Sequence, residues 1–206
     1  MPVILVANPK GGVGKSTLAT HIAGYFASRG HAVMLGDVDR QQSSRLWLSL
    51  RAPQARLIRT WEASEDGEVV RPPRGTTHAV LDSPAGLHGS RFKDVVALAD
   101  KVLVPLQPSI FDIYATRDFL DKLLAHRHVE KTKIGLVGMR VDARTLAADR
   151  LREFTAGLGV PVVGELRDTQ NYVQLAARGL TLFDVAAGRV QRDLEQWEPI
   201  QAWLDS

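Results

Sequence analysis

At 206 residues, 45% of them apolar, the chain is long enough to bury a sizeable core and is expected to form a single domain over 1–206. It has no cysteine, which excludes disulfides, cysteine-ligated zinc and iron–sulfur clusters and suits a reducing cytoplasm. The 26 basic against 23 acidic side chains leave a net charge of +3, which allows nucleic-acid binding without demanding it, and no apolar run is long enough to span a bilayer.

From Met1 the chain enters the apolar stretch 3–7 directly, so neither a leader peptide nor an upstream DNA-reading module is expected. That stretch is the first predicted strand. Behind it stands Lys10-Gly11-Gly12-Val13-Gly14-Lys15-Ser16-Thr17. A strand that feeds a glycine-rich turn into a helix points successive backbone N–H groups, and the positive helix end, at one volume where phosphate oxygens can sit. The three glycines let the backbone wrap, Lys15 is placed to reach the β and γ phosphates, and the Ser16 hydroxyl is placed to hold Mg²⁺. The general phosphate-loop pattern would have its first glycine at position 9, which is Pro9. A dinucleotide-binding reading fails because its third glycine would be Thr17, so NAD is not expected. The helix after the loop, predicted over 15–28, carries Leu18, Ile22, Tyr25 and Phe26 on one face and stops at Gly30.

Further strands are predicted over 32–37, 79–82, 102–106, 134–141 and 162–165, and helices over 43–50, 91–99, 114–126, 145–157, 171–177 and 190–204. Between them, 51–77 is broken by Pro53, Gly67, Pro72, Pro73 and Gly75, which leaves one strand near 57–61 and a surface loop. The alternation reads as an α/β fold, a doubly wound, mostly parallel sheet with helices on both faces, and the phosphate loop behind its first strand makes it of the P-loop NTPase kind. In such sheets ligands gather at the carboxyl ends of the strands, where Asp37, Asp39 and Asp82 fall. Asp37 and Asp39 also suit a helix N-cap or a solvated turn, and Asp112, which opens a later helix, suits either a plain cap or a nucleotide or interface role. From Arg140 to Arg192 there are eight arginines, no lysine and six acids, so Arg167, Arg178, Arg189 and Arg192 are candidates for non-specific DNA contact or for local salt bridges.

Asn8-Pro9-Lys10-Gly11-Gly12 and the loop behind it resemble the ParA/MinD family of P-loop ATPases, whose deviant phosphate loop is written KGGxGK[ST]. The resemblance implies that Lys10 reaches across a dimer interface to the nucleotide of the partner subunit. Asp37-Val38-Asp39-Arg40-Gln41 is similar to the family's D-x-D-P-Q motif, in which Asp39 would orient the attacking water and Asp37 would support the Mg²⁺ shell; Arg40 stands where the family has proline. Asp82 resembles the family's second metal-binding acid, and Gly86, in Ser83-Pro84-Ala85-Gly86, would offer an N–H to the γ-phosphate. Met139 and Arg140 lie where family members contact the base or sugar. The implied ligands are ATP and Mg²⁺. The implied partners are a second copy of the chain when ATP is bound, non-specific DNA, and a ParB-like or cargo-adaptor protein that stimulates hydrolysis, all on the nucleoid in the cytoplasm. Two rival readings share the fold: a metabolic ligase or kinase of dethiobiotin-synthetase type, and a MinD-like spatial regulator at the membrane. The final segment, 193–206, disfavours the second, having four acids, no lysine or arginine, and Pro199. Its Trp197, Ile200, Trp203 and Leu204 are expected to dock on the core.

Overall fold

A computed structural model of the chain describes residues 1–38, 41–62, 64–65, 68–69, 71–87, 89–126, 129 and 131–206; the expectations for Asp39 and Arg40 lie outside these. Its strands are β1 (Val3–Val6), β2 (Val33–Asp37), β3 (Ile58–Trp61), β4 (Ser64–Glu65), β5 (Glu68–Val69), β6 (His78–Asp82), β7 (Lys101–Leu106), β8 (Lys133–Met139) and β9 (Val162–Leu166). Its helices are α1 (Lys15–Ser28), α2 (Ser43–Ser49), α3 (Gly89–Leu98), α4 (Ile110–Leu124), α5 (Leu146–Ala156), α6 (Gln170–Ala176) and α7 (Ala187–Asp205). Seven strands form one parallel sheet in the order β3-β2-β6-β1-β7-β8-β9. The expected doubly wound architecture is therefore the one the chain adopts.

The central strands β1 and β7 are buried at every position, and apart from Lys101 at the start of β7 they are continuous apolar runs, as strands covered by helices on both faces must be. Ile4 and Val6 face a layer built from Leu18, Ile22 and Phe26 of α1, Trp47 of α2, and Trp197 and Ile200 of α7. Val3 and Leu5 face Val95, Phe119, Leu123 and Leu151 of α3, α4 and α5. The C-terminal helix docks as its spacing predicts, with Trp197, Ile200 and Leu204 buried and Trp203 packed partly against the same cluster. Lys101 Nζ donates to the carbonyls of Trp203 and Leu204, and Lys133 Nζ to that of Ser206, so two ammonium groups meet the negative end of α7.

Three expectations need correction. The loop expected after β3 contains a short antiparallel pair, β4 with β5, because two-residue strands leave no periodicity to read. Helix α4 begins at Ile110 rather than at Tyr114, since Ile110 and Phe111 in its first turn are exposed and add nothing to an apolar face. Helix α1 is covered all round rather than on one face: Ala19, His21, Ala23 and Gly24 are buried as well. At Gly24 a Cβ would sit 2.4 Å from the Thr181 hydroxyl, so the 3₁₀ turn Leu182–Asp184 can press against α1 only because this residue is glycine.

His21 lies inside that cover, its Nδ1 2.8 Å from the Thr17 carbonyl and its ring stacked on Trp197. Burial pushes its pKa down from 6.5 to about 4, against the smaller opposing effects of the Thr17 carbonyl, Asp184 and Asp193. The unfolded chain therefore binds a proton that the folded chain refuses, so this group's contribution is fully present above about pH 6.5 and is lost as pH falls towards 4. The full loss is roughly 3 kcal/mol. Asp82, whose folded pKa is raised to about 6, has the opposite sign over the lower part of that window. Denaturant titrations at several pH values should show His21→Phe losing less stability than the parent between pH 6.5 and 4; equal slopes would remove His21 from the acid response.

Candidate nucleotide site

The loop between β1 and α1 is held from behind. Asn8 is buried, donates from Nδ2 to the Pro105 carbonyl (2.8 Å) and the Thr116 hydroxyl (3.0 Å), and accepts from the Lys10 amide at 2.9 Å. On the far side Gln107 Nε2 donates to the Gly12 carbonyl at 3.0 Å. Gly12 and Gly14 have φ of 75° and 98°, a region that costs side-chain-bearing residues energy, and the N-terminus of α1 receives no side-chain cap. The loop thus combines a rigid frame, left-handed turns and uncapped helix amides, the makings of an anion cradle. Lys15 is buried and its Nζ donates to the Lys10 carbonyl at 2.6 Å, so the ammonium is folded over the loop at whose mouth a phosphate would sit.

Lys10 behaves differently. Its side chain is 41% exposed and its ammonium is 4.0 Å from Asp112 Oδ1, at the start of α4. Burial raises the pKa of the Asp112 carboxyl, and the Lys10 charge opposes that shift. The two lysines of one loop are thus separated by environment: one turned in over the cradle, one at the surface.

Strand register brings the acids together. Asp37 and Asp82 are paired residues of β2 and β6, and Asp82 also pairs with Val6, which leads into the loop. Asp82 is 1% exposed. Its Oδ2 accepts from the Ser44 hydroxyl at 2.6 Å, while Oδ1 has no hydrogen bond among the described residues. Burial pushes this carboxyl up to about 6; the nearby Ser16 hydroxyl and the Ser44 hydroxyl pull it down, Asp37 adds a further upward push, and Lys15 pulls down least. A buried carboxylate oxygen without a donor is costly. Beside a hydroxyl and at the phosphate loop, it is the donor set a hydrated Mg²⁺ needs, so the residues fit that ion. Asp37 accepts from the Ser44 and Arg45 amides at 2.8 and 3.3 Å, and so caps α2.

Gly86, expected at the γ-phosphate, follows β6 and donates its amide to the Pro9 carbonyl at 3.1 Å, which ties the turn to the front of the loop. Met139 and Arg140 do meet the loop: a Cβ on Gly14 would lie 2.8 Å from Met139 Cε, and both residues line a cavity of about 310 Å³ with Gly14, Thr17, Arg167 and Tyr172. Arg140 holds a left-handed φ of 54°, a conformation that costs a non-glycine residue about 1 kcal/mol and that clusters at functional sites.

The four arginines named for DNA divide. Arg167 lines that cavity and donates from Nε to the fully buried Asp193 at 2.6 Å, so its charge is already committed inside the chain. Arg178, Arg189 and Arg192 are exposed, with no ion pair among the described residues. Sequence reasoning named Asn8 only as the opening of the loop motif, without its bracing role, and missed Ser44. The only signals were a polar residue interrupting the apolar run before the loop and a hydroxyl in the first turn of the helix after an acid-bearing strand.

Residues 4–182 match the family described as the CobQ/CobB/MinD/ParA nucleotide binding domain. The chain is 26% identical over 197 residues to the maintenance of carboxysome distribution protein A of Halothiobacillus neapolitanus, covering 92% of this chain and 91% of that protein. It is 28% identical over 182 residues to the chromosome-partitioning ATPase Soj of Thermus thermophilus, covering 72% and 73%. The cell-division ATPase MinD of Pyrococcus furiosus superposes with a TM-score of 0.73 over 98% of this chain and 99% of that one, at 16% identity, a likeness of fold.

Proposed function

The chain belongs to the CobQ/CobB/MinD/ParA nucleotide-binding family, and on that premise we propose that it is a ParA-type ATPase that dimerises on binding ATP, coats DNA without reading sequence, and is released when a partner stimulates hydrolysis. The observation that carries this is the division of labour between the two lysines. A phosphate loop acting alone needs only the inward Lys15; a second lysine at the mouth, its side chain half-buried and held by a long ion pair, is suited to a phosphate on another molecule.

In this reading the loop amides of Gly11, Gly12, Val13 and Gly14, with Ser16 and Thr17, wrap the phosphates, and Lys15 neutralises them. Ser16 and Asp82 hold Mg²⁺, with Asp37 supporting the hydration shell; the ion's chemistry is to offset charge on the phosphate oxygens. Asp39 orients the attacking water, Gly86 exchanges the Pro9 carbonyl for the γ-phosphate, and Met139 and Arg140 flank the base or sugar. A cargo-adaptor protein of ParB-like kind supplies the stimulus, and the cargo is a plasmid, a chromosome origin or a protein assembly. The place of action is the nucleoid in the cytoplasm. No membrane contact is proposed: the apolar residues of α7 pack on the core rather than forming a free amphipathic face, and no helix among the described residues is long and apolar enough to cross a bilayer.

The DNA surface is placed on Arg178, Arg189 and Arg192, with Arg167 contributing only through the wall it builds. Two such faces joined in a dimer bind where one cannot, which is why ATP should be required. Fluorescence anisotropy with two unrelated duplexes at two salt concentrations should give ATP-dependent, sequence-indifferent binding that weakens with a log–log slope of about −0.9 per phosphate neutralised. Arg189→Glu with Arg192→Glu should lower affinity equally for both duplexes and leave ATP binding intact. Tight binding without ATP, or strong preference for one duplex, would contradict the proposal.

A further inference from the structure

Asp82 is held by a residue outside the phosphate loop and outside the two acidic strand ends. The Ser44 hydroxyl is fully buried and donates to Asp82 Oδ2 at 2.6 Å, across 38 residues of sequence. The same residue's amide donates to Asp37 Oδ2, so one residue touches both carboxylates that end β2 and β6. What remains of Asp82 is Oδ1, buried and without a hydrogen bond among the described residues.

Helix α2 does not depend on the Ser44 hydroxyl for its place. Asp37 caps its first turn, Trp47 is buried in the core, and just past its end Arg51 forms a buried bidentate pair with Asp184 and donates to the Gly179 carbonyl. The Ser44 to Asp82 bond is therefore free to serve the carboxylate rather than the helix.

We propose that Ser44 is a positioning residue for the metal-binding carboxylate: by occupying Oδ2 it fixes the Asp82 side chain and leaves Oδ1 as the acceptor for the hydrated cation beside Ser16. A hydroxyl suits this task because it donates one directional bond without adding charge to a site that already holds two carboxylates. Partners that orient a metal-binding group in this way typically govern about ten- to a hundredfold in metal affinity. The inference rests on the reading of Ser16 and Asp82 as the Mg²⁺ site.

The test uses the full chain and a non-hydrolysable ATP analogue, with thermal stabilisation as the readout. The parent, Ser44→Ala, Asp82→Asn and the double variant are compared in EDTA and across a Mg²⁺ titration. Ser44→Ala should bind the metal-free analogue as the parent does, melt somewhat lower without nucleotide because buried Asp82 Oδ2 loses its donor, and need at least about tenfold more Mg²⁺ for half-maximal stabilisation over its own nucleotide-free baseline. Asp82→Asn should lose most of the Mg²⁺ dependence, and adding Ser44→Ala to it should change nothing further, because the hydroxyl acts only through that carboxylate. An unchanged Mg²⁺ requirement in Ser44→Ala, with the requirement lost in Asp82→Asn, overturns the role of Ser44 alone. A parental requirement in Asp82→Asn overturns the metal site itself and the inference with it.

Discussion

Lys15→Ala should lower nucleotide affinity by at least a hundredfold, measured by titration with a fluorescent ATP analogue. The side chain is buried, and its ammonium lies over the loop against the Lys10 carbonyl at 2.6 Å. Two charge-assisted bonds to phosphate oxygens, at roughly 1.5–3 kcal/mol each, amount to more than two orders of magnitude in affinity. Removing the lysine also leaves the loop amides facing phosphate without a neutralising charge. Affinity equal to the parent's would mean that the cradle does not hold phosphate at all.

Trp197→Ala should destabilise the chain by about 3–5 kcal/mol, the cost of deleting a large side chain from a close-packed interior. Trp197 is fully buried, touches the rings of His21 and Phe183, and donates from Nε1 to the Tyr172 hydroxyl at 3.0 Å. Tyr172 lines the cavity beside Met139 and Arg140, so the same change should weaken nucleotide binding beyond what lost stability explains. Urea denaturation followed by nucleotide titration on the folded fraction separates the two effects. A loss below about 1 kcal/mol would place Trp197 outside the core.

The phosphate loop was legible because its chemistry is local: eight consecutive residues between a strand and a helix carry three glycines, two lysines and two hydroxyls at the spacing of an anion cradle. Asp37 and Asp82 were legible for a related reason, since acids at the ends of apolar runs fall at the carboxyl edge of a parallel sheet wherever the strands land. What stayed hidden was what only strand order reveals. Asn8 braces the loop against Pro105 and Thr116, which lie 97 and 108 residues away. Ser44 meets Asp82 only because β2 and β6 are neighbours in register. The inward turn of Arg167 is equally invisible in sequence, because its partner Asp193 is one of many acids until α7 folds back and buries it. A count of arginines cannot separate a charge offered to solvent from one already spent.

ATP is expected to join two copies of the chain through Lys10. Light scattering on purified protein, without nucleotide, with Mg²⁺ and ADP, and with Mg²⁺ and a non-hydrolysable ATP analogue, tests it directly. The parent should double its molar mass only with the ATP analogue, and Lys10→Ala, at concentrations that saturate its own phosphate loop, should remain a single copy. A parent mass that ATP leaves unchanged at full occupancy, or a Lys10→Ala variant that dimerises as the parent does, would contradict it.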